Sequence, residues 1–518
     1  MNSTTLNLPR PPGRMNAAAI PASLTVIFLI VAAPLLIFEA ALLQPLPAAM
    51  TCALTLAVVA VIASRTDWRG RPDAGILAAA LVLAAILNLL SGIGHFFWQT
   101  DDWTVRDAML FDLVRNPWPV SYALADGVGL LRAPFGMYLA PAAVGKLGGL
   151  GAAQAALFVQ NTALLGLCIY VFARASRPGW PRYAAIGLFV AFSGLDVVGY
   201  FIRWMNDMPR MAAMHLEPWT GQFQYTSNVT EVFWTPHHGL AGWALVAAYL
   251  WAREGRITTL AIAPLFAACL FWSPLACLGA APFLAFTLVC DALDGRLRWM
   301  DFALCLASLA MAAPIMAFLS LDSGQIEKGF QDIASPTFLV PYAGLVALEA
   351  LPLFALSWQG RDPSDRRTSA EMLIALAALL AIPAYKLGFA NDFAMRVSIP
   401  ALTLLYVRMP RALVSIGKEP VARRAIMIGV IALGAATPAV EIYRNISQPA
   451  TPASACNVLE SLQDGPYAGS PLDYYIASAA AFGKSAALFR GASGAPLERK
   501  IEKCWPGRTF VYGSPFVS

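Results

Sequence analysis

Long apolar runs recur along almost the whole chain and constrain its fold more than any other feature. Between Ile20 and Tyr443 they are about 17 to 25 residues long, the length that a helix needs to cross the hydrocarbon core of a bilayer. Of the 518 residues, 58% are hydrophobic and 13% are charged, against roughly 25% charged in soluble domains. The sequence therefore predicts an all-α polytopic membrane protein.

Thirteen membrane helices are predicted from these runs. They are expected at about 20–43, 46–64, 74–95, 151–173, 183–203, 237–252, 257–272, 275–290, 301–320, 338–357, 369–386, 396–409 and 424–443. No linker divides them, so we predict one transmembrane domain over 1–443. The polar remainder, 444–518, is predicted to be a small extramembrane tail.

The distribution of basic residues predicts an orientation with the N-terminus in the cytoplasm. In this orientation, the N-terminal segment and each cytoplasmic loop between predicted spans carry at least two arginines, as the positive-inside rule requires. The first apolar run continues past Leu42 without a small-residue cleavage site, which favours a retained helix over a signal peptide. The net charge of +5 is scattered over short loops, so no nucleic-acid partner is expected.

An acidic pair, Asp101 and Asp102, follows the third predicted span beside Trp98 and Trp103. In this orientation the pair lies on the outer face, where a carboxylate could take a proton from an acceptor hydroxyl. It could also bind a divalent cation such as Mg or Mn, since both accept oxygen ligands. The alternative of about equal weight is that Asp101 or Asp102 caps a helix that begins near Thr104.

Three other outer segments carry structural predictions. Thr104–Val114 has one apolar face and is predicted to be an interfacial amphipathic helix. Ala133–Leu150 is apolar but broken by prolines and glycines, so it is expected to lie along the interface or to re-enter the membrane. In the tail, Cys456 and Cys504 form a disulfide if the tail is extracytoplasmic, and are free thiols otherwise. RTFVYG near the C-terminus is a candidate strand.

Two further outer segments supply candidate substrate-binding residues, to which Trp103 is added as an aromatic contact. The candidate substrate-binding residues in these two segments are His237, His238, Lys386, Asn391, Asp392 and Arg396. Neighbouring histidines on a helix point about 100° apart, so a metal pair is disfavoured and a single histidine as acceptor ligand or proton shuttle is preferred. Arg396 at the start of a span needs an anionic partner such as a lipid phosphate, or it snorkels to ordinary headgroups.

The stretches DDW, WPVSY, SNVTEVFWTPHHGLAGW, WSP and NDFAMRVSIPAL resemble the GT-C superfamily of polytopic glycosyltransferases, and in particular a group of bacterial GT-C-like integral membrane proteins. The resemblance covers most of Ile20–Tyr443. It implies an inverting hexosyl or pentosyl transfer from a polyprenyl-phosphate sugar to a glycan, lipid or protein acceptor, at the outer face of the inner membrane. Asp101 or Asp102 would be the general base or a metal ligand, and Arg396 or Lys386 would hold the lipid phosphate.

Two other functions stay open at this point. A transporter or flippase of lipid-linked glycans is expected to carry polar residues through the depth of several spans and often paired repeats. Charge within the predicted spans is scarce and no repeat is recognisable, which favours surface chemistry. An O-antigen ligase or polymerase type of enzyme would also use arginine and histidine on the outer face.

Overall fold

The structure is a computed structural model, and it describes residues 20–206, 215–361, 363–388, 391–466, 471–501 and 503–506. The predicted RTFVYG strand lies outside these residues. The first half of the described chain forms nine α-helices. They are α1 (Ala22–Leu42), α2 (Pro45–Ser64), α3 (Ala74–Leu90), α4 (Trp103–Arg115), α5 (Gly136–Arg174), α6 (Trp180–Ala191), α7 (Asp196–Met205), α8 (Asn228–Trp234) and α9 (Pro236–Arg253).

The second half of the described chain adds twelve α-helices. They are α10 (Ala263–Leu270), α11 (Pro274–Leu293), α12 (Trp299–Ser320), α13 (Pro336–Leu345), α14 (Leu351–Gln359), α15 (Arg366–Ala381), α16 (Asp392–Val397), α17 (Ile399–Ser415), α18 (Val421–Gly434), α19 (Ala436–Ser447), α20 (Val458–Asp464) and α21 (Ala479–Gly483). A π-helical turn, Val346–Ala350, joins α13 to α14, and a 3₁₀ turn, Glu217–Thr220, follows α7 along the chain.

Ten helical segments of the described chain are long and apolar enough to cross a membrane. They are Ala22–Leu42, Pro45–Ser64, Gly136–Arg174, Trp180–Met205, Pro274–Leu293, Trp299–Ser320, Pro336–Gln359, Arg366–Ala384, Asp392–Lys418 and Val421–Ser447. Each overlaps one of the thirteen predicted spans, and the remaining three predicted spans coincide with α3, α9 and the segment Thr259–Leu270. The chain is therefore an all-helical polytopic membrane protein, while the count of thirteen spans stays a prediction.

Helix α9 lies at the centre of the bundle and is buried from Gly239 to Ala252. It packs against α5, α11 and α17. Small residues allow these helices to approach closely, as is usual where lipid tails offer no hydrophobic drive for association. A Cβ on Gly242 would lie 2.6 Å from Ile399 Cγ2, so a larger residue there would push α17 away. This packing places the start of α9 beside α16.

The strands are short and lie outside the helical bundle. They are β1 (Ile20–Pro21), β2 (Thr66–Asp67), β3 (Ser121–Leu124), β4 (Gly127–Leu131), β5 (Lys328–Phe330), β6 (Tyr385–Leu387) and β7 (Ile476–Ser478). Strands β3, β4 and β7 form an antiparallel sheet in which Leu131 pairs with Ile476, and β5 pairs with β6. Because β7 belongs to the tail, this sheet joins the tail to the first polar segment.

The tail is also held by a helix and a disulfide. Helix α20 packs against α4, and Cys456 is bonded to Cys504 with their Cα atoms 5.8 Å apart. Of the two alternatives for these cysteines, the disulfide is the one formed. The tail therefore covers the face of α4 that was expected to meet water, and the polar side chains of Arg106 and Asp112 are buried.

The segment Ala133–Leu150 is largely helical. Residues from Gly136 onward form the first arm of α5, which is 39 residues long and bends at Gly149. Its interfacial or re-entrant position stays a prediction. Gly149 has φ of +80°, a conformation that a residue without a Cβ adopts readily. The bend interrupts a helix that would otherwise be about twice the length needed to cross a bilayer.

Candidate functional site

The two aspartates at the start of α4 have different surroundings. Asp102 occupies the position before the first helical residue, but its carboxylate makes no capping hydrogen bond. Its Oδ2 instead accepts a hydrogen bond from Arg106 Nη2 at 2.8 Å, one helical turn away. Asp101 is fully buried, and its backbone carbonyl accepts hydrogen bonds from the Thr104 amide and hydroxyl. The capping hypothesis therefore does not describe Asp102.

The beginning of α4 is attached to the end of α8. The Trp103 indole donates to the Phe233 carbonyl at 2.8 Å, and the Thr100 hydroxyl donates to the same oxygen at 3.0 Å. Arg106 Nη1 donates to the carbonyl of Trp234. The last carbonyls of a helix have no partner within the helix, so they accept donors from elsewhere. Trp103, predicted to bind substrate, is fully buried and connects these two helices.

Arg396 lies in α16 and is buried, with 7% of its side chain exposed. Its Nη1 donates to Glu231 Oε1 at 3.0 Å, and its Nε lies 3.9 Å from Asp392 Oδ1. Both Asp392 and Arg396 also interact electrostatically with Asp102 and Arg106. Segments about 290 residues apart in the sequence are therefore brought together. We call Asp102, Arg106, Glu231, Asp392 and Arg396 the charge cluster.

Several buried polar atoms around the charge cluster have no hydrogen-bond partner among the described protein atoms. They are Arg396 Nε, Asn391 Oδ1, His237 Nδ1 and Tyr138 Oη. Buried polar groups in folded proteins are almost always hydrogen-bonded to protein, water or ligand. The set includes a cationic donor, an acceptor and two groups that exchange protons, so it suits a polar, anionic ligand.

The two candidate histidines are adjacent at the start of α9. Their ring centroids lie 3.9 Å apart, His238 Nδ1 is hydrogen-bonded to Ser273 Oγ at 2.7 Å, and His237 faces the Tyr138 ring at a centroid distance of 6.4 Å. Within the described ranges, no three His, Cys, Asp or Glu side chains come together in a way that could hold a metal ion. Asp102, one of the two predicted Mg or Mn ligands, is engaged by Arg106. The described residues therefore offer no preformed three-ligand metal site, and Mg or Mn binding by Asp101 or Asp102 stays a prediction.

Two other predicted residues lie at the edge of this region. Lys386 is on β6, and its ammonium is 2.8 Å from Glu327 Oε1 in an exposed ion pair. Its donor-binding role stays a prediction, and its ammonium is directed to the hairpin of β5 and β6. Asn391 Nδ2 donates to the Gln222 carbonyl at 3.1 Å, which places Asn391 between α16 and the segment before α8.

Four residues of the site were not singled out from the sequence: Arg106, Tyr138, Glu231 and Tyr475. The Asp102 and Arg106 pair has the spacing of an ion pair on a helix, so that signal was available. Tyr475 in the tail interacts electrostatically with Arg106 and Asp102, and burial raises the pKa of its hydroxyl to about 12. Nothing in the local sequence marks Tyr475 or Tyr138, because their position depends on how the tail and α5 pack.

The geometry describes a buried site with three carboxylates, two guanidiniums and unpaired polar atoms, assembled from α4, α5, α8, α9, α16 and the tail. Such a site can hold an anion through Arg396 and place a carboxylate beside it. No family model matches this chain, and neither a curated protein nor a solved structure matches it.

Proposed function

We propose that this chain is a membrane glycosyltransferase that moves a hexosyl or pentosyl group from a polyprenyl-phosphate donor to a cell-envelope acceptor. The observation that carries the proposal is the charge cluster, in which the buried Arg396 Nε has no hydrogen-bond partner among the described residues and Asp102 lies within electrostatic range. A guanidinium matches the oxygens of a phosphate, and a positioned carboxylate is a general base. The acceptor would be a glycan, a lipid or a protein.

The proposed reaction is an inverting displacement. Arg396 binds the donor phosphate, and the acceptor hydroxyl attacks the anomeric carbon from the opposite side. The new glycosidic bond forms as the bond between the anomeric carbon and the phosphate oxygen breaks, and polyprenyl phosphate leaves. The hydroxyl proton passes to Asp102, whose carboxyl group is paired with Arg106 at 2.8 Å. No metal is needed for this proton balance.

The location proposed for this reaction is the outer face of the bacterial inner membrane, with the N-terminus in the cytoplasm. The disulfide between Cys456 and Cys504 supports an oxidising compartment for the tail, since such bonds are rare in the cytosol. The tail carries Tyr475 to the charge cluster, so the cluster shares the side of the tail.

A transporter or flippase of lipid-linked glycans is the second candidate. The observation that favours it is the presence of buried carboxyl groups inside the spanning segments, namely Glu39, Asp196 and Glu349. The sequence pattern had suggested that such charge is scarce. Ionisable residues at these depths commonly mark proton or ion pathways. An O-antigen ligase or polymerase type of enzyme, which would also use arginine and histidine on the outer face, stays an alternative.

The test is transfer by the purified protein in liposomes, supplied with a labelled polyprenyl-phosphate sugar and an envelope extract. We expect Asp102→Asn to reduce transfer by about 10²-fold or more, the usual contribution of a general base. Asp126→Asn, in the exposed turn between β3 and β4, is the control and should transfer normally. Equal transfer by the Asp102 variant would refute its role, and label crossing the bilayer without acceptor would favour the transporter.

A further inference from the structure

A second group of buried carboxyls lies apart from the charge cluster. Asp196 begins α7, Glu217 begins the 3₁₀ turn Glu217–Thr220, and Glu349 lies in the π-helical turn between α13 and α14. All three residues are 0% exposed. Asp196 and Glu349 belong to segments long and apolar enough to cross a membrane. Three acids from distant parts of the chain therefore meet in a low-dielectric interior.

Neutral groups supply the hydrogen bonds to Glu349 and Glu217. Glu349 Oε1 accepts from the Trp219 indole at 2.7 Å, and Oε2 accepts from the Tyr225 amide at 3.1 Å. Glu217 Oε1 accepts from the Ser227 amide at 2.9 Å, while Oε2 accepts from the Gln224 side chain. These donors hold the carboxyl groups in place but do not cancel a negative charge.

One carboxyl oxygen of Asp196 accepts hydrogen bonds from the described residues, and the other does not. Its Oδ2 accepts hydrogen bonds from the hydroxyls of Ser193 at 2.7 Å and Thr437 at 2.9 Å. Its Oδ1 is buried and has no donor among the described residues. A Cβ on Gly194 would lie 2.6 Å from Glu349 Cγ, so the chain two residues before Asp196 lies against Glu349. Two negative charges side by side in a low-dielectric interior would repel each other strongly.

The nearby basic side chains bind other groups. Arg444 and His215 both bind Glu441, at 2.9 Å and 2.8 Å, and Arg203 donates to the Trp219 carbonyl. Glu231 on the neighbouring α8 pairs with Arg396. Within the part of the chain that the structure describes, no Lys or Arg forms an ion pair with any of the three carboxyls. His215 interacts electrostatically with Asp196, and Glu441 adds a like charge near Glu217.

We infer that Asp196, Glu217 and Glu349 form a proton-binding site inside the membrane domain, and that one proton is shared between Asp196 and Glu349 at neutral pH. A buried carboxylate without a cation is so costly that the group takes up a proton instead. Two carboxyls held close together likewise disfavour each other's ionisation. In agreement, burial and the nearby charges of Asp196 and Glu441 raise the pKa of Glu217 well above its usual range.

Helix α8 connects this proton-binding site to the charge cluster. Glu217 accepts from the amide of Ser227, the residue that caps α8, and the other end of α8 carries Glu231 and the Trp234 carbonyl. A change in the protonation of Glu217 at one end of this seven-residue helix therefore acts on the same helix that binds Arg106 and Arg396 at its other end. The inference does not depend on the proposed transferase activity.

The test is infrared spectroscopy of the full-length protein in lipid nanodiscs at pH 8, where exposed carboxyls are ionised. We expect absorption from protonated carboxyl groups, and we expect the double variant Asp196→Asn, Glu349→Gln to lose a part of it. Both replacements keep a carbonyl acceptor and a similar volume. Glu254→Gln changes an exposed carboxyl and is the control, with no expected change. An unchanged protonated-carboxyl band in the double variant would overturn the inference.

Thermal unfolding gives a second measurement on the same variants. The folded wild type holds a proton that the unfolded chain releases above the ordinary carboxyl range, so its stability must fall as pH rises. We expect the melting temperature of the double variant to fall less than that of the wild type between pH 6 and 9. The pH dependence of stability that Asp112 contributes is the same in both proteins, so it cancels in the comparison. Parallel pH profiles for the two proteins would count against a shared proton.

Discussion

At the residue scale, the candidate site depends on which charged side chains form ion pairs with each other. Asp101 and Asp102 are neighbours in the sequence, yet Asp101 is fully buried. The Asp102 side chain is 16% exposed and forms an ion pair with Arg106. Arg396 is similarly committed to Glu231 and Asp392. A ligand phosphate would therefore join an existing buried ion pair. The stability of that pair can be measured separately from activity.

Removing the Arg396 charge should strongly destabilise the protein. Arg396→Met leaves Glu231 buried without its cation, which typically costs about 3–5 kcal/mol of unfolding free energy. Adding Glu231→Gln should recover a part of this loss. The matched control is Arg423→Met, because Arg423 pairs with Glu419 at 3.0 Å on an exposed helix face, where about 0–1 kcal/mol is expected. Denaturant titration in micelles measures each value, and equal losses for Arg396 and Arg423 would contradict the prediction.

At the element scale, α4 is fixed by the tail through one carboxyl group. Asp112 Oδ2 accepts hydrogen bonds from the Tyr122 hydroxyl at 2.8 Å and from the Val458 amide at 2.9 Å. Val458 begins α20, so this single oxygen joins α4, β3 and the tail. Burial raises the pKa of Asp112 from 3.8 to about 7, with the two hydrogen bonds acting in the opposite direction.

Docking of the tail should therefore depend on pH. Between about pH 4 and pH 7 the folded chain keeps a proton on Asp112 that the unfolded chain has released. Stability is thus greatest below this range, falls as pH rises through it, and levels off above about 7. Protection of the Val458 amide from hydrogen exchange, corrected for the intrinsic pH dependence of exchange, should decrease over the same range. Asp112→Asn keeps an acceptor and should remove this dependence, whereas Asp126→Asn should not.

Contact between α7 and the turn Glu217–Thr220 depends on a glycine. A Cβ on Gly199 would overlap the Trp219 indole, whereas a Cβ on Gly187 in α6 would meet nothing within 4 Å. Gly199→Ala should cost about 1–3 kcal/mol because the helix and the indole must separate. Gly187→Ala should be neutral or slightly stabilising, since alanine favours a helix. Thermal unfolding of both variants in nanodiscs provides the comparison, and equal melting temperatures would exclude this packing.

At the scale of the whole molecule, the alternation of basic connections and the disulfide in the tail favour the same orientation. If the tail is outside, Ala495→Cys should react with a membrane-impermeant maleimide in intact cells. Gly417→Cys, in a short turn after α17 where a Cβ has open space, should react only after the membrane is permeabilised. The wild type corrects for its own cysteines. The reverse labelling pattern would invert the proposed topology.

Much of the helical architecture was predictable from the sequence, since each of the ten spanning segments overlaps a predicted apolar run. The helix within Ala133–Leu150 was not predicted, because prolines and glycines break its apolar run, yet α5 accommodates them by bending at Gly149. The interfacial or re-entrant position of this segment stays a prediction. Within the site, Asp102, His237 and Arg396 were recognisable as polar residues in apolar surroundings. Glu231 and Tyr475 were not, because their partners lie on other elements.

The apolar runs along the chain, including the one that ends before Asp101 and Asp102, were enough by themselves to determine that this protein is a helical membrane protein. Hydrophobic length and charge between runs are local properties, and the bilayer acts on each segment in the same way. Only the tertiary structure decided that Asp102 interacts with Arg396 and that Asp196 meets Glu349. Contacts between residues so far apart follow from how helices pack, which no local pattern specifies.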